Sequence, residues 1–474
     1  MENFNNLLDQ IDSLVWGVPL IILIMGTGIY LTVRLGLLQF RKLGKALHYM
    51  VKNEEGGAGE VTSFGALCTA MAATIGTGNI VGVATAVVAG GPGALFWMIL
   101  AACLGMATKY SEGLLAVKYR EQKEDGRYLG GPFAYIEYGM GHKWKWLAKM
   151  FAFFGVCVGL MGIGTFTQVN GIATATQGFF DPDMAHTVSV FGNDYSISTV
   201  ITAVAVAFFV ALVVIGGLKR IASVTSIVVP FMAIAYVFVC ICILIFNIKS
   251  IPAAVVTIIQ SAFGVKAVAG GALGAIILAM QKGVARGIFS NEVGLGSAPI
   301  AAAAAKTNEP VRQGLVSMTG TFIDTICVCT MTGLTIMVTG SYDKAIAEGL
   351  EGVQVTSAAF KNGLPWDGNI GPCILMICLV FFAFTTILGW DYYSERCLDY
   401  LTNGKLGVVK AYRWLYIFCV LIGPFMTVSA VWTIADIFNG LMALPNLVAI
   451  LALSGVIVKE TKSYFDRLEK GELK

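Results

Sequence analysis

Apolar residues run through this chain in blocks of about 20, the length that carries an α-helix across the hydrocarbon core of a bilayer. Eleven such blocks, centred near residues 23, 76, 105, 158, 206, 233, 285, 325, 385, 420 and 446, predict eleven membrane spans joined by polar connections. Two blocks are interrupted. Thr74-Ile75-Gly76-Thr77-Gly78-Asn79 lies in the middle of an apolar stretch from about Phe64 to Val88, and Phe289-Ser290-Asn291-Glu292-Val293-Gly294-Leu295-Gly296-Ser297 lies inside the seventh span. Lipid offers free N–H and C=O groups no partner, so backbone unwound at that depth survives only buried in protein or lining a cavity. Glycine supplies the freedom a break needs, although small residues also let membrane helices pack closely. The five-span offset between the two interruptions favours breaks. Spans five apart enter the membrane from opposite sides, as in two inverted five-helix repeats built from spans 2 to 6 and 7 to 11, with ligands bound where the broken helices face each other. The expected fold is an all-α membrane protein with one domain. Residues 1–60 form an extra N-terminal span and its connection, 61–250 the first repeat, 251–458 the second and 459–474 a tail.

Composition closes off other classes. The 474 residues are 57% hydrophobic and 13% charged, with a mean hydropathy of +0.76, which sets soluble architectures aside. A formal net charge of +3 gives no reason to expect a nucleic-acid partner, but the distribution of charge is informative. About 25 of the 32 Lys and Arg fall in or beside alternate connections, at residues 34–60, 118–149, 219–220, 306–312, 396–413 and after 458. The opposite connections hold Lys249, Lys266, Lys344 and Lys361. The rule that cytoplasmic loops are basic then puts the N-terminus outside and the C-terminus in the cytoplasm, as an odd number of spans requires. The acidic start, Glu2, Asp9 and Asp12, is unlike a cleaved signal peptide. Eleven cysteines lie mostly in apolar runs without paired CxxC spacing, so Cys240, Cys242, Cys327 and Cys329 read as packing or lipid-facing residues. His48, His142 and His186 all fall in or near polar connections, leaving no buried histidine for catalysis or a metal centre. Gly76, Gly78 and Gly82 do not meet GxGxxG, and neither a P-loop nor HExxH is present, so no enzyme is expected. The evident partner is the lipid bilayer; no organic cofactor and no obligate protein partner are indicated.

Electrostatics gives the breaks a chemistry. The N-terminal end of a half-helix presents unpaired N–H groups and positive dipole and suits a carboxylate, while exposed carbonyls at the other end suit a cation. Around the first break the carbonyls of Ala72, Thr74 and Ile75 can face an ion, the N–H groups of Thr77 and Gly78 open the following half-helix, and Asn79 adds a neutral oxygen. Neutral oxygens without a carboxylate serve an alkali cation better than a divalent one, so sodium is the expected ion. Phe289, Ser290 and Asn291 bring the second break to the same place. In the fourth span, Gly164-Thr165-Phe166-Thr167-Gln168-Val169-Asn170 is unusually polar. Gln168 is the candidate there to touch a ligand, with Phe166 as a wall, or else these groups only bond between helices. In the ninth span Thr386 and Trp390 are four apart and share a face, so the indole is a candidate cap for the side-chain end of a pocket; a Thr pair bonding its own backbone and a Trp in the interfacial belt are the alternatives.

The blocks GTGNIVGVATA at 76–86, GGPGALFW at 90–97, GGPFAYIEYG at 130–139 and KGVARGIFSNEVGLGSAP at 282–299 resemble the alanine or glycine:cation symporter family over nearly the whole chain. The resemblance implies sodium-coupled uptake of small neutral amino acids, alanine and glycine above all, across the cell membrane on the inverted-repeat fold of the leucine-transporter type. By the same match, Thr77 and Gly78 would hold the substrate carboxylate, with Thr74, Gly76 and Asn79 also at the substrate. One sodium would sit between the carbonyls of Ala72 and Ile75 and the hydroxyls of Thr385 and Thr386, with Asn79 and the Thr74 carbonyl serving a second. Asn291 and Glu292 depart from the small and hydroxyl residues usual at that fold's second break. Charged residues within spans need partners. Lys282 and Arg286 share a face where they would line an external vestibule or pair with Glu292, Asp324 would pair or relay protons and so favour proton coupling, and Asp391 completes the set. A cation channel and a non-transporting sensor are the other classes open to such a chain.

Overall fold

The computed structural model describes the chain apart from residues 1, 53, 55, 125, 191, 265–270, 367, 427–428 and 474. Lys266 lies outside the described residues. In chain order the spans are Asn6–Arg34, the bent pair Ser63–Thr74 with Gly78–Gly90, Gly93–Lys118, His142–Phe180, Ile197–Val214, Gly217–Phe246, Ala272–Asn291, Pro310–Val338, Ile370–Leu401, Leu406–Phe425 and Thr433–Ala452. Each coincides with one of the eleven apolar blocks. Helix starts follow local chemistry. The Thr62 hydroxyl accepts the Gly65 N–H at 3.0 Å and opens the second span, and Ser196 accepts the Ser198 N–H at 3.2 Å to open the fifth, each satisfying a donor the first turn leaves free. Large exposed side chains such as Phe208, Phe209, Ile234 and Phe238 face outward from the fifth and sixth spans, where a bilayer satisfies them at no cost.

Both interruptions are real breaks. The second span stops at Thr74, turns by 54° through extended Ile75 (φ −78°, ψ 93°), and resumes as a wide π-helical turn, Gly78–Gly82, that runs into Val83–Gly90. The seventh stops at Asn291. Glu292 (φ 54°), Gly294 (φ 80°) and Gly296 (φ 83°) are left-handed, and the chain then forms the short helix Ala298–Ala302. On the Lys/Arg-rich side the two half-helices are joined by their backbones. Glu60 and Val61 N–H donate to Ala304 O at 2.8 and 3.1 Å, and Lys306 N–H to Val61 O at 2.7 Å. The Arg120 guanidinium grips the same junction, donating to the carbonyls of Ala303, Ala305, Ala58 and Thr307 at 2.6 to 2.8 Å.

Two features go beyond the expected spans. Short antiparallel hairpins occur at Glu121–Gln122 with Tyr128–Leu129, and at Thr187–Val190 with Asn193–Ser196, both in polar connections. The C-terminal helix Ser454–Glu469 docks back on the body, with Tyr464 donating to Tyr49 at 2.9 Å and Arg467 paired with Glu309 at 2.8 Å.

Candidate functional site

The first break is a point of convergence. A Cβ built on Gly76 would collide with the Thr386 hydroxyl from the ninth span and lie 3.1 Å from Gln168 Oε1 of the fourth. One on Gly78 would lie 3.1 Å from Ser290 Cα and 3.3 Å from the Phe289 ring. The two broken helices therefore approach closely at Gly78 and Ser290, a contact that a side chain at Gly78 would crowd, while Gly76 makes room for Thr386 and Gln168.

Backbone groups freed by the break have specific partners. Gly76 N–H donates to Asn79 Oδ1 at 2.9 Å and Thr77 N–H to Gln168 Oε1 at 3.2 Å. The Thr386 hydroxyl donates to Ile75 O at 3.3 Å. Among the described residues the Gly78 N–H has no acceptor, and the buried Thr77 hydroxyl has no partner. Thr77 lies at the base of a vestibule of about 710 Å³, walled by Val81 and Thr85 of the second span, Asn170 and Thr174 of the fourth, and Glu351 and Gln354 of the connection before the ninth.

Asp324 ties the two breaks together. The eighth span loosens into a π-helix over Phe322–Cys329, a local widening often found at functional sites. The Asp324 carboxylate there accepts from Asn79 Nδ2 at 2.7 Å, Ser290 Oγ at 3.0 Å and Thr325 Oγ1 at 2.7 Å. Asn291 Nδ2 continues the chain of bonds to Thr325 Oγ1 at 3.0 Å, and Cys329 Sγ lies 3.3 Å from both Asn79 Nδ2 and Ser290 Oγ. All of these residues are buried.

The sequence candidates thus divide. Gly76, Thr77, Gly78, Asn79, Gln168, Phe289, Ser290, Asn291 and Thr386 are gathered around the two breaks, together with the carbonyl of Ile75. Ala72 and Thr74 end the half-helix just before them, where carbonyls lack intrahelical donors. The Thr74 hydroxyl bonds its own backbone, at Ala70 O and Met71 O. Thr385 turns to Met232 Sδ at 3.5 Å and Phe382 O, not to Ile75. Phe166 packs on Gly423 of the tenth span. Trp390 is fully buried one turn beyond Thr386, its indole N–H donating to Glu292 Oε1 at 2.8 Å. Glu292 also accepts from Ser297, so its partners are these two and not Lys282 or Arg286. Arg286 instead stands over the Phe289 ring, 5.8 Å from its centroid, and Lys282 is exposed beside Gly90. The Asp391 carboxylate is buried without a hydrogen bond among the described residues. Asp324 as the link between the breaks, and Cys329 beside it, were beyond sequence reasoning; the one available signal was a carboxylate midway along an apolar span.

Two broken helices, crossed by long spans that reach their breaks, define a leucine-transporter-type membrane protein. Among solved structures, MhsT in complex with L-phenylalanine superposes with a TM-score of 0.54 over 86% of this chain and 99% of that one, at 14% identity, a likeness of fold. The chain belongs to the sodium:alanine symporter family, whose model matches residues 1–474, and it is a multi-pass amino-acid symporter in class. It is 55% identical to a transporter of Haemophilus influenzae, over 98% of this chain and 97% of that protein. It is 44% identical to the sodium/alanine symporter AgcS of Methanococcus maripaludis, over 100% and 99% respectively.

Proposed function

We propose that this protein carries alanine and glycine into the cell, drawing on inward sodium flow, by alternating access around the paired breaks. The observation that carries the reading is the meeting of Thr386, Gln168 and Ser290 on the glycines of the first break, beside Thr77, which lines an open vestibule. A zwitterion needs donors for its carboxylate, and the N–H groups of Thr77 and Gly78 at a half-helix start supply them, Gln168 yielding its bond to Thr77. Sodium takes the Thr386 hydroxyl with the carbonyls of Ile75 and Ala72. The set Asn79, Ser290 and Asp324 serves a second cation, with a carboxylate in place of the neutral oxygen expected from Thr74. Trp390, braced by Glu292, floors the site and limits the side chain to about a methyl group. The basic connections face the cytoplasm of a cell-membrane protein with its N-terminus outside.

Cation and amino acid then complete each other's sites, so each raises the affinity for the other by the same factor. Binding of radiolabelled alanine to purified protein, titrated with sodium, tests this. The dissociation constant for alanine falls as sodium rises; a constant value in sodium and potassium alike rejects the coupling. Asp324 favours one competing reading, proton coupling, because a buried carboxylate between the breaks suits a proton as well as a metal ion. Alanine uptake driven by a pH gradient in sodium-free buffer supports that reading, and no such uptake removes it.

A further inference from the structure

Directly below the breaks, toward the Lys/Arg-rich side, spans 2, 3, 7 and 8 enclose a cavity of about 20 Å³, room for about one water molecule. Thr74 and Asn291 form its upper edge, so it begins where the central site ends. Besides Thr74, Asn291 and Ser317, it is lined by four deeply buried polar side chains, Lys109 and Glu112 of the third span and Gln313 and Thr321 of the eighth, exposed by 3%, 0%, 1% and 2%. Each has capacity to spare. Lys109 Nζ lies 3.9 Å from Glu112 Oε2 and makes no hydrogen bond. Glu112 Oε2, both polar atoms of Gln313 and the Thr321 hydroxyl also lack partners among the described residues. The other Glu112 oxygen is fixed by Asn446 Nδ2 at 2.7 Å, and that amide is itself held by Gly294 O at 2.9 Å.

A purely structural ion pair at this depth is expected to be saturated with hydrogen bonds, because each unmet one is costly. This pair is oriented but unsaturated. A bare cation is repelled by Lys109 and a bare anion by Glu112, whereas a ligand carrying both charges satisfies both. The rest of the lining is apolar, small residues such as Ala70, Ala298 and Gly320 beside the larger Leu67, Met71 and Pro299, and suits a short side chain. We infer that Lys109 and Glu112 form a second amino-acid site, occupied by the zwitterion on its way to the cytoplasm. Lys109 receives the carboxylate and Glu112 the ammonium once the half-helices Ser63–Thr74 and Ala298–Ala302 move apart. The inference rests on the alternating-access reading and adds a stop to its path.

Ala70 is half-buried on the cavity wall, so Ala70→Cys reports occupancy through its rate of modification by a small methanethiosulfonate applied from the cytoplasmic side, with the unsubstituted protein as blank. Alanine at about five times its dissociation constant is expected to slow modification about sixfold, in line with the fraction of sites filled. Lys109→Gln should abolish that protection while sodium-dependent alanine binding at the breaks stays within about twofold, and Lys109→Arg should restore it. Protection that persists unchanged in Lys109→Gln overturns the inference, because alanine would then be acting only by closing the inner side. Absence of protection in an Ala70→Cys protein that still binds alanine overturns it too. Should Lys109→Gln fail to fold, Glu112→Gln carries the same two outcomes. Loss of all sodium-dependent alanine binding in the unsubstituted protein refutes the functional reading itself and is recognised separately.

Discussion

At the scale of single residues, the two threonines of the ninth span separate. Thr386 reaches the Ile75 carbonyl while Thr385 faces Met232, so Thr386→Val should raise the sodium concentration for half-maximal alanine uptake about tenfold, the equivalent of about 1.4 kcal/mol. Thr385→Val should leave it within about twofold, since its hydroxyl meets only a thioether and its own helix. Equal effects of the two substitutions would remove Thr386 from the ion site. Gly76→Ala inserts a methyl where the Thr386 hydroxyl and Gln168 already stand, and an overpacked core position loses about 1–3 kcal/mol. A lower melting temperature with loss of alanine binding is expected; an unchanged protein would mean the break is slacker than described. The glycines, Asn79 and Gln168 were legible because their residue types are unusual inside an apolar run. The role of Asp324 was not, since its bond to Asn79 spans 245 positions and hydrophobic periodicity carries no information about such pairings.

At the scale of elements, both breaks were visible as glycine clusters, and their five-span offset already pointed to inverted repeats. How the half-helices are held was not visible. The backbone bonds between Val61 and Ala304 to Lys306, and the four carbonyls gripped by Arg120, join segments with no shared pattern. Nothing about a lone arginine after a span predicts that it will collect carbonyls. Its removal should loosen the Lys/Arg-rich side. Arg120→Ala is expected to speed hydrogen exchange at the Glu60, Val61 and Lys306 amides about tenfold or more, as a local opening costs less once the clamp is gone. Exchange at the half-helix Val83–Gly90, on the opposite side of the break, should not change. Uniform acceleration across the protein would mean that Arg120 merely stabilises the fold, and no acceleration would mean the backbone bonds close this side unaided. The two small hairpins escaped notice for a related reason, since strands of two to four residues in polar connections leave no periodic trace.

At the scale of the whole molecule, eleven spans were recoverable because the bilayer imposes a length and a composition on every crossing. The uneven distribution of Lys and Arg supports the proposed orientation, with the C-terminus in the cytoplasm. A tag on the C-terminal helix should be reached by antibody only after cells are permeabilised, and labelling of intact cells would invert the whole assignment. On the proposed reading, an amino acid and a cation share the two breaks, and that sharing couples their movement. The most direct measurement is accumulation of radiolabelled alanine by proteoliposomes holding the purified protein. An inward sodium gradient should drive alanine above its external concentration, and the gain should vanish when potassium replaces sodium or when an ionophore collapses the gradient. Entry that only equilibrates, or that proceeds equally in potassium, would contradict sodium-coupled transport at the paired breaks.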